Sequence, residues 1–533
     1  MTLTQLFTNI ADAIRAKTGS SETIIAEDFP TEIAGIQSGK LTNAEYNEAD
    51  EDVDSILNDI NVVNFYDYDG SLLYSYTKSD FLELSALPAN PTHTGLTAQG
   101  WNWTLADAKT YVTAYGGLDI GQMYTTTSGN TEFDIELNES TGLTIKLTVS
   151  GTKDWGDGTT DNLNTHTYST KGKYTISMSG ITSLASTIFD QSSSTVNYFL
   201  KDVRFGSIIY LSNYAFQYCN SLRSVTMSNT ITYIGNYTFQ HCYSLESIVI
   251  PNTVETIGNY GLSICFSLRK IIMSNSVTLI GNSAFNNCYS LKNIFLPTSV
   301  TNFGASLFQY CYELENVVIT NAFSSITNNM FTACYSLKNI KLPDTITSIG
   351  SYAFQYCYAL ERIIVPNSVT TIGNNAFHYC YSLESVVLSN TLATIGEVIF
   401  QNCYSLESVE IPDTVTSMGV GMLRDCFALK EVKISSAITT IPVNFMANCI
   451  CIKELIIPNT VTSIGNGSFS SLNTVEKIDF SDFSTIPTLD TNAFANMNKT
   501  AKIVVPDSLY EDWIAANNWS TYANNIVKAS EVV

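Results

Sequence analysis

The sequence predicts a mainly β protein: a solenoid of 23-residue coils, preceded by a short helical N-terminus, a small α+β module and a β-sandwich. Three observations lead to this fold class. Eleven cysteines recur at intervals of 23 residues from Cys219 to Cys449, and a fixed period of about this length is typical of stacked coils. Alternating apolar residues between turn residues predict strands from residue 61 to residue 180. The composition, 45% hydrophobic and 14% charged, is that of a folded chain.

The first 60 residues predict helices and a connector. Apolar residues recur at helical spacing in "LTQLFTNIADAI", and "AEDFPTEIAGI" predicts a second short helix. We expect residues 1–39 to form a helical attachment segment. Residues 40–60 contain seven acidic and no basic residues between Glu45 and Asp59, which predicts an exposed acidic connector. Because polar residues interrupt the apolar ones, the start does not predict a standard signal peptide.

Residues 61–125 predict a small α+β module. Two alternating apolar runs in "FYDYDGSLLYSY" flank Asp69 and Gly70, a strong hairpin pattern. The segment "TLADAKTYVTAYGG" predicts a helix that ends at glycine.

Residues 126–182 predict an all-β sandwich, because short alternating runs are separated by turn residues. The stretch "DWGDGTT", followed by His166, Tyr168 and Tyr174, resembles the WGDG and H-x-Y signature of polycystic-kidney-disease (PKD) domains. That resemblance implies a spacer sandwich. Asp157, in a turn flanked by glycines, is expected to be a turn residue rather than a catalytic acid.

Residues 183–500 predict the solenoid, and residues 501–533 predict a helical C-terminal cap. The coil around Cys242 shows the repeated apolar positions: Phe239, Leu245, Ile248, Ile250, Val254 and Ile257. The cysteines are expected to be free thiols in the core, where cysteine behaves as a small hydrophobe. A serine in place of Cys357 would then bury a hydroxyl without an obvious partner.

The repeat resembles the BspA-like branch of leucine-rich repeats, whose units read approximately F-x-x-C-x-x-L-x-x-I-x-I-P-x-x-V-x-x-I-G. The resemblance implies an extracellular recognition scaffold without catalytic activity. The first 125 residues resemble the amino-terminal parts of phage tail-fibre and related virion proteins, in "LFTNIADAIRAKTGSSETI" and "FYDYDGSLLYSYTKSDFLELSALPANPTHTGLTAQGWNW".

Candidate binding residues lie at positions that the core does not need. An aromatic residue follows the cysteine in nine successive coils, and the residue before the cysteine varies from coil to coil. We expect these rings to be exposed, either as a packed ladder over the solenoid corner or as a surface for a sugar ring or a protein. The candidates are Tyr243, Tyr289, Tyr312, Tyr335, Tyr358, Tyr381, Tyr404, Tyr310, Tyr356 and Tyr379.

A second surface is predicted on the strands. The middle residues of the strands point away from the core by alternation, and they form an apolar band. Such a band is usually covered, here by a second copy of the chain or by another domain. The band contains Val249, Ile272, Phe295, Val318, Ile364, Val387 and Ile456.

Composition and motifs argue against several functions. The net charge of -23 disfavours nucleic acid, and the chain has no apolar run long enough to span a membrane. With only four histidines and no phosphate-binding loop, dinucleotide motif or paired zinc-ligand spacing, we predict no enzymatic activity, no cofactor and no metal site. Paired carboxylates from distant segments leave a carbohydrate-active enzyme as the least favoured alternative.

Together the resemblances imply a phage tail appendage, either a tail fibre or a receptor-binding protein, that recognises the bacterial host surface through the solenoid. The alternative is a bacterial BspA-like surface adhesin. The partners expected for the first function are a carbohydrate or protein receptor on the host cell, other tail or baseplate proteins, and further copies of the chain, for example in a trimer. The expected location is the virion, or the bacterial cell surface in the alternative.

Overall fold

The computed structural model describes residues 61–138, 143–184, 188–189 and 198–532. The predicted attachment segment and acidic connector lie outside these residues. The described chain divides between Phe323 and Ser324 into two compact units, called here the first and the second unit. Both are mainly β and carry 23-residue coils, as the sequence predicts.

The first unit begins with the α+β module. Its strands are β1 (Val62–Tyr66), β2 (Leu72–Thr77), β3 (Leu96–Trp101) and β4 (Leu118–Thr126), and its helices are α1 (Lys78–Glu83) and α2 (Leu105–Tyr115). The sheet order is β2-β1-β4-β3, with β1 and β2 antiparallel around Asp69 and Gly70. The hairpin prediction is confirmed.

Helix α2 has the two ends that its sequence predicts. The Thr104 hydroxyl accepts a hydrogen bond from the backbone N–H of Asp107, which satisfies a donor of the first turn. At the other end, Gly116 has a φ of 93°, a conformation that costs glycine little. The helix prediction is confirmed.

A two-sheet sandwich follows the module. Its strands are β5 (Thr131–Leu137), β6 (Leu143–Lys146), β7 (Lys153–Asp154), β8 (Thr160–Asp161), β9 (Thr165–Tyr168) and β10 (Gly172–Met178). The signature residues hold its turn together: the Tyr168 hydroxyl donates to the Trp155 carbonyl, and His166 stacks on Trp155 at 4.9 Å. Asp157 accepts the Thr159 N–H, as expected of a turn residue.

The sandwich adds its main strand to the first sheet of the solenoid. Strand β5 pairs antiparallel with residues 200–204, and those pair parallel with residues 224–226. Arg204 holds the junction through ion pairs with Glu132 and Asp134. An open sheet edge would leave backbone groups unpaired, so the sandwich protects this end, as predicted.

Most coils of the solenoid contribute two short strands. Those of the first unit are β11 (Ser183–Leu184), β12 (Leu200–Arg204), β13 (Tyr210–Leu211), β14 (Ser224–Thr226), β15 (Tyr233–Ile234), β16 (Ser247–Val249), β17 (Thr256–Ile257), β18 (Lys270–Ile272), β19 (Leu279–Ile280), β20 (Asn293–Phe295), β21 (Asn302–Phe303) and β22 (Asn316–Val318). Parallel partners are one repeat apart, as in Ser247 with Lys270.

The second unit repeats this arrangement and closes it with a cap. Its strands are β23 (Ser325–Ile326), β24 (Ser348–Ile349), β25 (Arg362–Ile364), β26 (Thr371–Ile372), β27 (Ser385–Val387), β28 (Thr394–Ile395), β29 (Ser408–Glu410), β30 (Glu431–Lys433), β31 (Thr440–Ile441), β32 (Glu454–Ile456), β33 (Ser463–Ile464), β34 (Lys477–Asp479), β35 (Thr488–Leu489), β36 (Lys502–Val505) and β37 (Ile526–Lys528).

The C-terminal cap is partly helical, as predicted, and ends in a strand. It contains 3-10 turns at Asp507–Leu509, Trp519–Tyr522 and Ala529–Glu531, and the helix α3 (Tyr510–Ala515). Trp513 and Trp519 are buried against Phe480. Strand β37 pairs parallel with β36 and extends its sheet.

The cysteines form a buried column of free thiols, which confirms the prediction. Thiols of the column donate to carbonyls of the preceding coil: the Cys357 thiol donates to the Phe331 carbonyl at 3.2 Å, and the Cys380 thiol donates to the Phe354 carbonyl at 3.2 Å. The expectation that a serine at position 357 would lack a partner is wrong, because this carbonyl lies within reach. The period therefore repeats a hydrogen bond as well as an apolar contact.

The glycine column has a steric cause. A Cβ atom on Gly350 would lie 2.6 Å from the backbone nitrogen of Asn328 in the preceding coil. The Asn328 side chain in turn accepts the backbone N–H of Ser351 at 2.8 Å. The same asparagine-to-N–H bond joins other coils, for example Asn236 to Asn259. Glycine lets the coils approach closely enough for this bond.

The α+β module lies on the strand face of the first unit. Val249 is 3% exposed and Ile272 is 0% exposed, since both pack under Tyr66 and Met123. The module's Trp103 indole N–H donates to the Met273 carbonyl at 2.7 Å. Part of the apolar band is thus covered by another domain, one of the two coverings expected, whereas Ile456 in the second unit is 71% exposed.

Candidate recognition surface

The two variable positions beside the cysteine column share an unusual backbone conformation. The residues one before and five before the cysteine have φ between 54° and 65° in coil after coil. Asparagine and glycine tolerate this left-handed region, whereas for other residues the conformation is less favourable by roughly 1 to 2 kcal/mol. Several coils use asparagine there, as at Asn329 and Asn402, but Tyr310, Tyr356 and Tyr379 adopt it too.

In the first unit, the aromatic residues after the cysteine form a stack. Its centroid separations are 4.7 Å for Tyr243 and Phe266, 4.4 Å for Phe266 and Tyr289, and 4.5 Å for Tyr289 and Tyr312. Tyr310 packs edge-on against Tyr312 at 6.3 Å. We call these five residues the first stripe.

The second unit has a longer stack with the same geometry. The separations are 4.7 Å for Tyr335 and Tyr358, 4.8 Å for Tyr358 and Tyr381, 4.7 Å for Tyr381 and Tyr404, and 4.9 Å for Tyr404 and Phe427. We call these five residues, together with Tyr356 and Tyr379, the second stripe. Tyr356 and Tyr379 each directly precede a cysteine of the column.

Tyr356 and Tyr379 build a second tier on this stack. Their own rings are 4.9 Å apart and nearly parallel. Tyr356 stands edge-on to Tyr358 at 6.1 Å, and Tyr379 stands edge-on to Tyr381 at 5.9 Å. The structure therefore gathers the ten tyrosines selected from the sequence into two clusters, one in each unit.

The stacked rings are half-buried, so the expectation that they are exposed is wrong. All ten candidate tyrosines except Tyr310 are intermediate in exposure. Burial raises the pKa of Tyr358, Tyr381 and Tyr404 above the ordinary value for tyrosine, so these hydroxyls stay protonated through the physiological range. Adjacent rings cover each other's faces, as in the packed ladder that was one of the two expected arrangements.

A row of amide side chains lies beside the stripes and was missed by the sequence reasoning. It occupies the position two before the cysteine, where Gln217 donates to Gln240 at 2.6 Å and Asn286 donates to Gln309 at 3.1 Å. In the second unit, the Gln355 amide nitrogen lies 3.3 Å from His378 Nδ1. The recurrence of glutamine and asparagine at this position was the signal that could have found it.

His378 occupies one position of this row, beside the second stripe. Its ring lies 3.9 Å from that of Tyr379, and its Nδ1 is 3.1 Å from Asn375 Oδ1. Burial lowers the pKa of His378 to about 4. The imidazole is consequently neutral at physiological pH and acts as a polar, uncharged member of the row.

Another tyrosine stack lies in the first unit, five residues before the cysteine. Tyr214 and Tyr237 are 4.9 Å apart, and Tyr237 and Tyr260 are 5.0 Å apart, with the rings almost parallel. The corresponding residues of the next two coils are Ser283 and Ser306. The stack is therefore confined to three coils.

The described part of the chain offers no geometry for metal or membrane chemistry. Within it, no group of three or more His, Cys, Asp or Glu side chains is placed to hold a metal ion. No helix in these residues is long and apolar enough to cross a bilayer.

Comparison with protein families assigns the repeats. The family described as BspA type leucine rich repeat region matches residues 209–338, 324–453 and 439–513, more than half of the chain. The match begins after the module and the sandwich, so the resemblances to tail-fibre proteins and PKD domains stay predictions. No curated protein matches the chain.

Several solved structures are similar. A leucine-rich repeat protein from Bacteroides ovatus is 22% identical over 64% of this chain and 97% of its own, with a TM-score of 0.49. A leucine rich cell surface protein from Faecalibacterium prausnitzii is 26% identical over 64% of this chain and 86% of its own, with a TM-score of 0.35. The pneumococcal vaccine antigen PcpA is 21% identical over 66% and 83%, with a TM-score of 0.41.

Proposed function

Because the chain belongs to the BspA-type leucine-rich repeat family, we propose that it is a bacterial cell-surface adhesin that binds a macromolecular partner through its aromatic stripes. The family supports the surface location, and the solenoid supplies a rigid scaffold for recognition. The proposal includes no catalytic role. Of the two functions that the sequence suggests, it favours the surface adhesin over the phage tail appendage.

The observation that carries this proposal is the placement of tyrosine at left-handed positions. Neither the core nor the turn needs a tyrosine there, because other coils have Asn402 or Ala333 at the position of Tyr379. A bulky residue in this conformation costs stability, and such strain is found mainly where function requires the side chain. Tyrosine is also a frequent contributor to binding hot spots.

The phage tail appendage remains a competing prediction with a distinct location. It rests on the resemblance of the first 125 residues to virion proteins, and all of these residues precede the family match. Attachment to a virion would require tail or baseplate proteins as partners, and genes for such proteins beside this one would favour it. An adhesin requires exposure on the bacterial cell itself.

An antibody raised against residues 198–532 would separate the two locations. We expect it to label intact, unpermeabilised cells that express the gene, and mild protease treatment of these cells to remove the signal. A cytoplasmic protein labelled only after permeabilisation is the control. Label that is absent from intact cells, together with peptides of this chain in purified phage particles, would overturn the proposal and establish the tail appendage.

A further inference from the structure

The second stripe is almost free of charge in a strongly acidic protein. The chain has 49 acidic and 26 basic residues. Yet in the coils of Cys334, Cys357, Cys380 and Cys403, the positions from two before to one after the cysteine carry only neutral side chains. The fifth coil has Arg424 and Asp425, which pair with each other at 3.2 Å.

Given the proposed binding role, on which this inference rests, we propose that the second stripe binds a neutral β-1,4-linked polysaccharide that lies across successive coils, about one sugar per coil. A neutral polymer is the complementary ligand for such a stripe, since ionic attraction would contribute little to its binding. The phenol and amide groups both donate and accept hydrogen bonds, as sugar hydroxyls do.

The ring geometry selects the way in which such a chain is held. Interior rings of the stack are covered on both faces, because Tyr358 and Tyr381 have neighbours at 4.7 to 4.8 Å on each side. A sugar therefore meets the ring edges and hydroxyls of the stack and the partly exposed amides beside it, Gln355 and Gln401. Hydrogen bonds repeated from coil to coil supply the affinity, rather than one ring stacked on one sugar.

The spacing of the stack distinguishes a sugar chain from an extended peptide. An extended peptide places side chains of the same face roughly 6.8 Å apart. The rings of the second stripe are 4.7 to 4.9 Å apart, so a peptide would fall out of register after about two coils. An extended β-1,4-linked chain advances by about the length of one pyranose ring per residue, which is closer to this spacing.

Four neutral β-1,4-linked polymers provide the test: chains of glucose, mannose, xylose and N-acetylglucosamine. We expect the full-length protein to bind at least one of them in titration calorimetry. For oligomers of the polymer that binds, the association constant is expected to rise by about threefold for each added sugar and to level off near five sugars. Raising the salt from about 50 mM to about 500 mM should change it by less than about twofold.

Variants locate the site. Replacing Tyr356 and Tyr379 together by serine should lower the association constant at least about tenfold. The matched control is Tyr352→Ser, since Tyr352 is 39% exposed and has the same left-handed conformation but lies outside the stripe. Melting temperatures of both variants show whether any loss of binding follows unfolding.

Three outcomes would overturn this inference. The first is the failure of all four polymers to bind, the second is binding that falls steeply with salt, and the third is equal loss in the Tyr352→Ser control. If a purified surface protein binds the stripe while the polymers do not, the partner is a protein and only the polysaccharide is rejected. The antibody experiment on intact cells tests the proposed function separately, so the two failures are distinguishable.

Discussion

His378, in the polar row beside the second stripe, has a charge that depends on pH. Burial lowers its pKa from 6.5 to about 4, with Asp425 opposing the shift in part. As the pH falls, the unfolded chain binds the proton first, near pH 6.5, and the folded chain binds it only near pH 4. The stability contributed by the neutral imidazole is therefore present above about pH 6.5 and is lost between these two values.

A His378→Gln variant isolates this contribution, because glutamine occurs at the same position in neighbouring coils, as in Gln355 and Gln401. We expect the wild type to lose more unfolding free energy than the variant when urea unfolding is compared at pH 7 and pH 4.5. Carboxylates titrate in both proteins and cancel in the comparison. Parallel losses in the two proteins would show that His378 is not buried in its neutral form.

The thiols provide a second prediction at the scale of the residue. Burial raises the pKa of thiols in the column, to about 12 for Cys288. Such a thiol forms little thiolate at neutral pH, and a reagent cannot reach it. Cys451 lies outside the column and is partly exposed. We expect a thiol reagent to modify only Cys451 rapidly in the native protein, and all twelve cysteines in denaturant. Cys451→Ser should abolish the rapid phase; rapid reaction of several column thiols would contradict the burial.

At the scale of the element, the close approach of successive coils depends on glycine. A Gly350→Ala change would place a Cβ atom 2.6 Å from both the backbone nitrogen and the side-chain oxygen of Asn328. Backbone must move, and the bond from Ser351 to Asn328 is strained, so we expect a loss of about 2 to 4 kcal/mol in unfolding free energy.

Asn328→Ala is the matched comparison for this prediction. It removes the same hydrogen bond without adding an atom, and its position is exposed, so the loss should be no more than about 1 kcal/mol. Urea unfolding followed by circular dichroism measures both. Equal losses in the two variants would mean that the hydrogen bond, and not the space between coils, requires the glycine.

The elements that the sequence predicted are those set by local patterns. Asp69 and Gly70 specify the hairpin, Gly116 ends α2, and the period of the cysteines specifies the coils. The left-handed positions of the stripes were not predicted, because Tyr356 and Tyr379 do not have the residue types that usually mark that conformation. The half-burial of their neighbours follows from ring stacking between coils, and the pattern alone left packing and binding open.

At the scale of the whole molecule, the sequence predicted that the apolar band needs a cover but not what covers it. The covering contacts join residues far apart in the chain, as when the Asn102 amide donates to the Ile250 carbonyl at 3.1 Å. No local pattern encodes such a pairing. Ile364 and Val387 are partly buried, and Ile456 is exposed, so assembly with further copies of the chain stays a prediction. Light scattering at micromolar concentration checks it, and a monomer would count against it.

Three side-chain donors of the α+β module bond to carbonyls at the ends of solenoid strands. We predict that these hydrogen bonds help to hold the module on the solenoid. Besides the Asn102 amide, the Trp103 indole donates to Met273 at 2.7 Å and the Tyr111 hydroxyl donates to Leu296 at 2.9 Å. Changing Trp103 and Tyr111 together to phenylalanine keeps the apolar contact and removes both donors. Each lost bond should cost about 1 to 3 kcal/mol, because its partner remains buried.

Hydrogen exchange measures this loss where it occurs. We expect amide exchange to become faster in β16, β18 and β20, because opening of the module exposes the strands beneath it. Thr113→Ala is the control, since Thr113 lies exposed on the same helix and its hydroxyl donates to the Lys109 carbonyl of that helix. If the double variant and the control exchange alike, the remaining contacts, among them those of Val249 and Ile272 and the ion pair of Lys270 with Asp119, suffice to hold the module in place. The two removed donors would then serve only to satisfy groups that the docking has already buried.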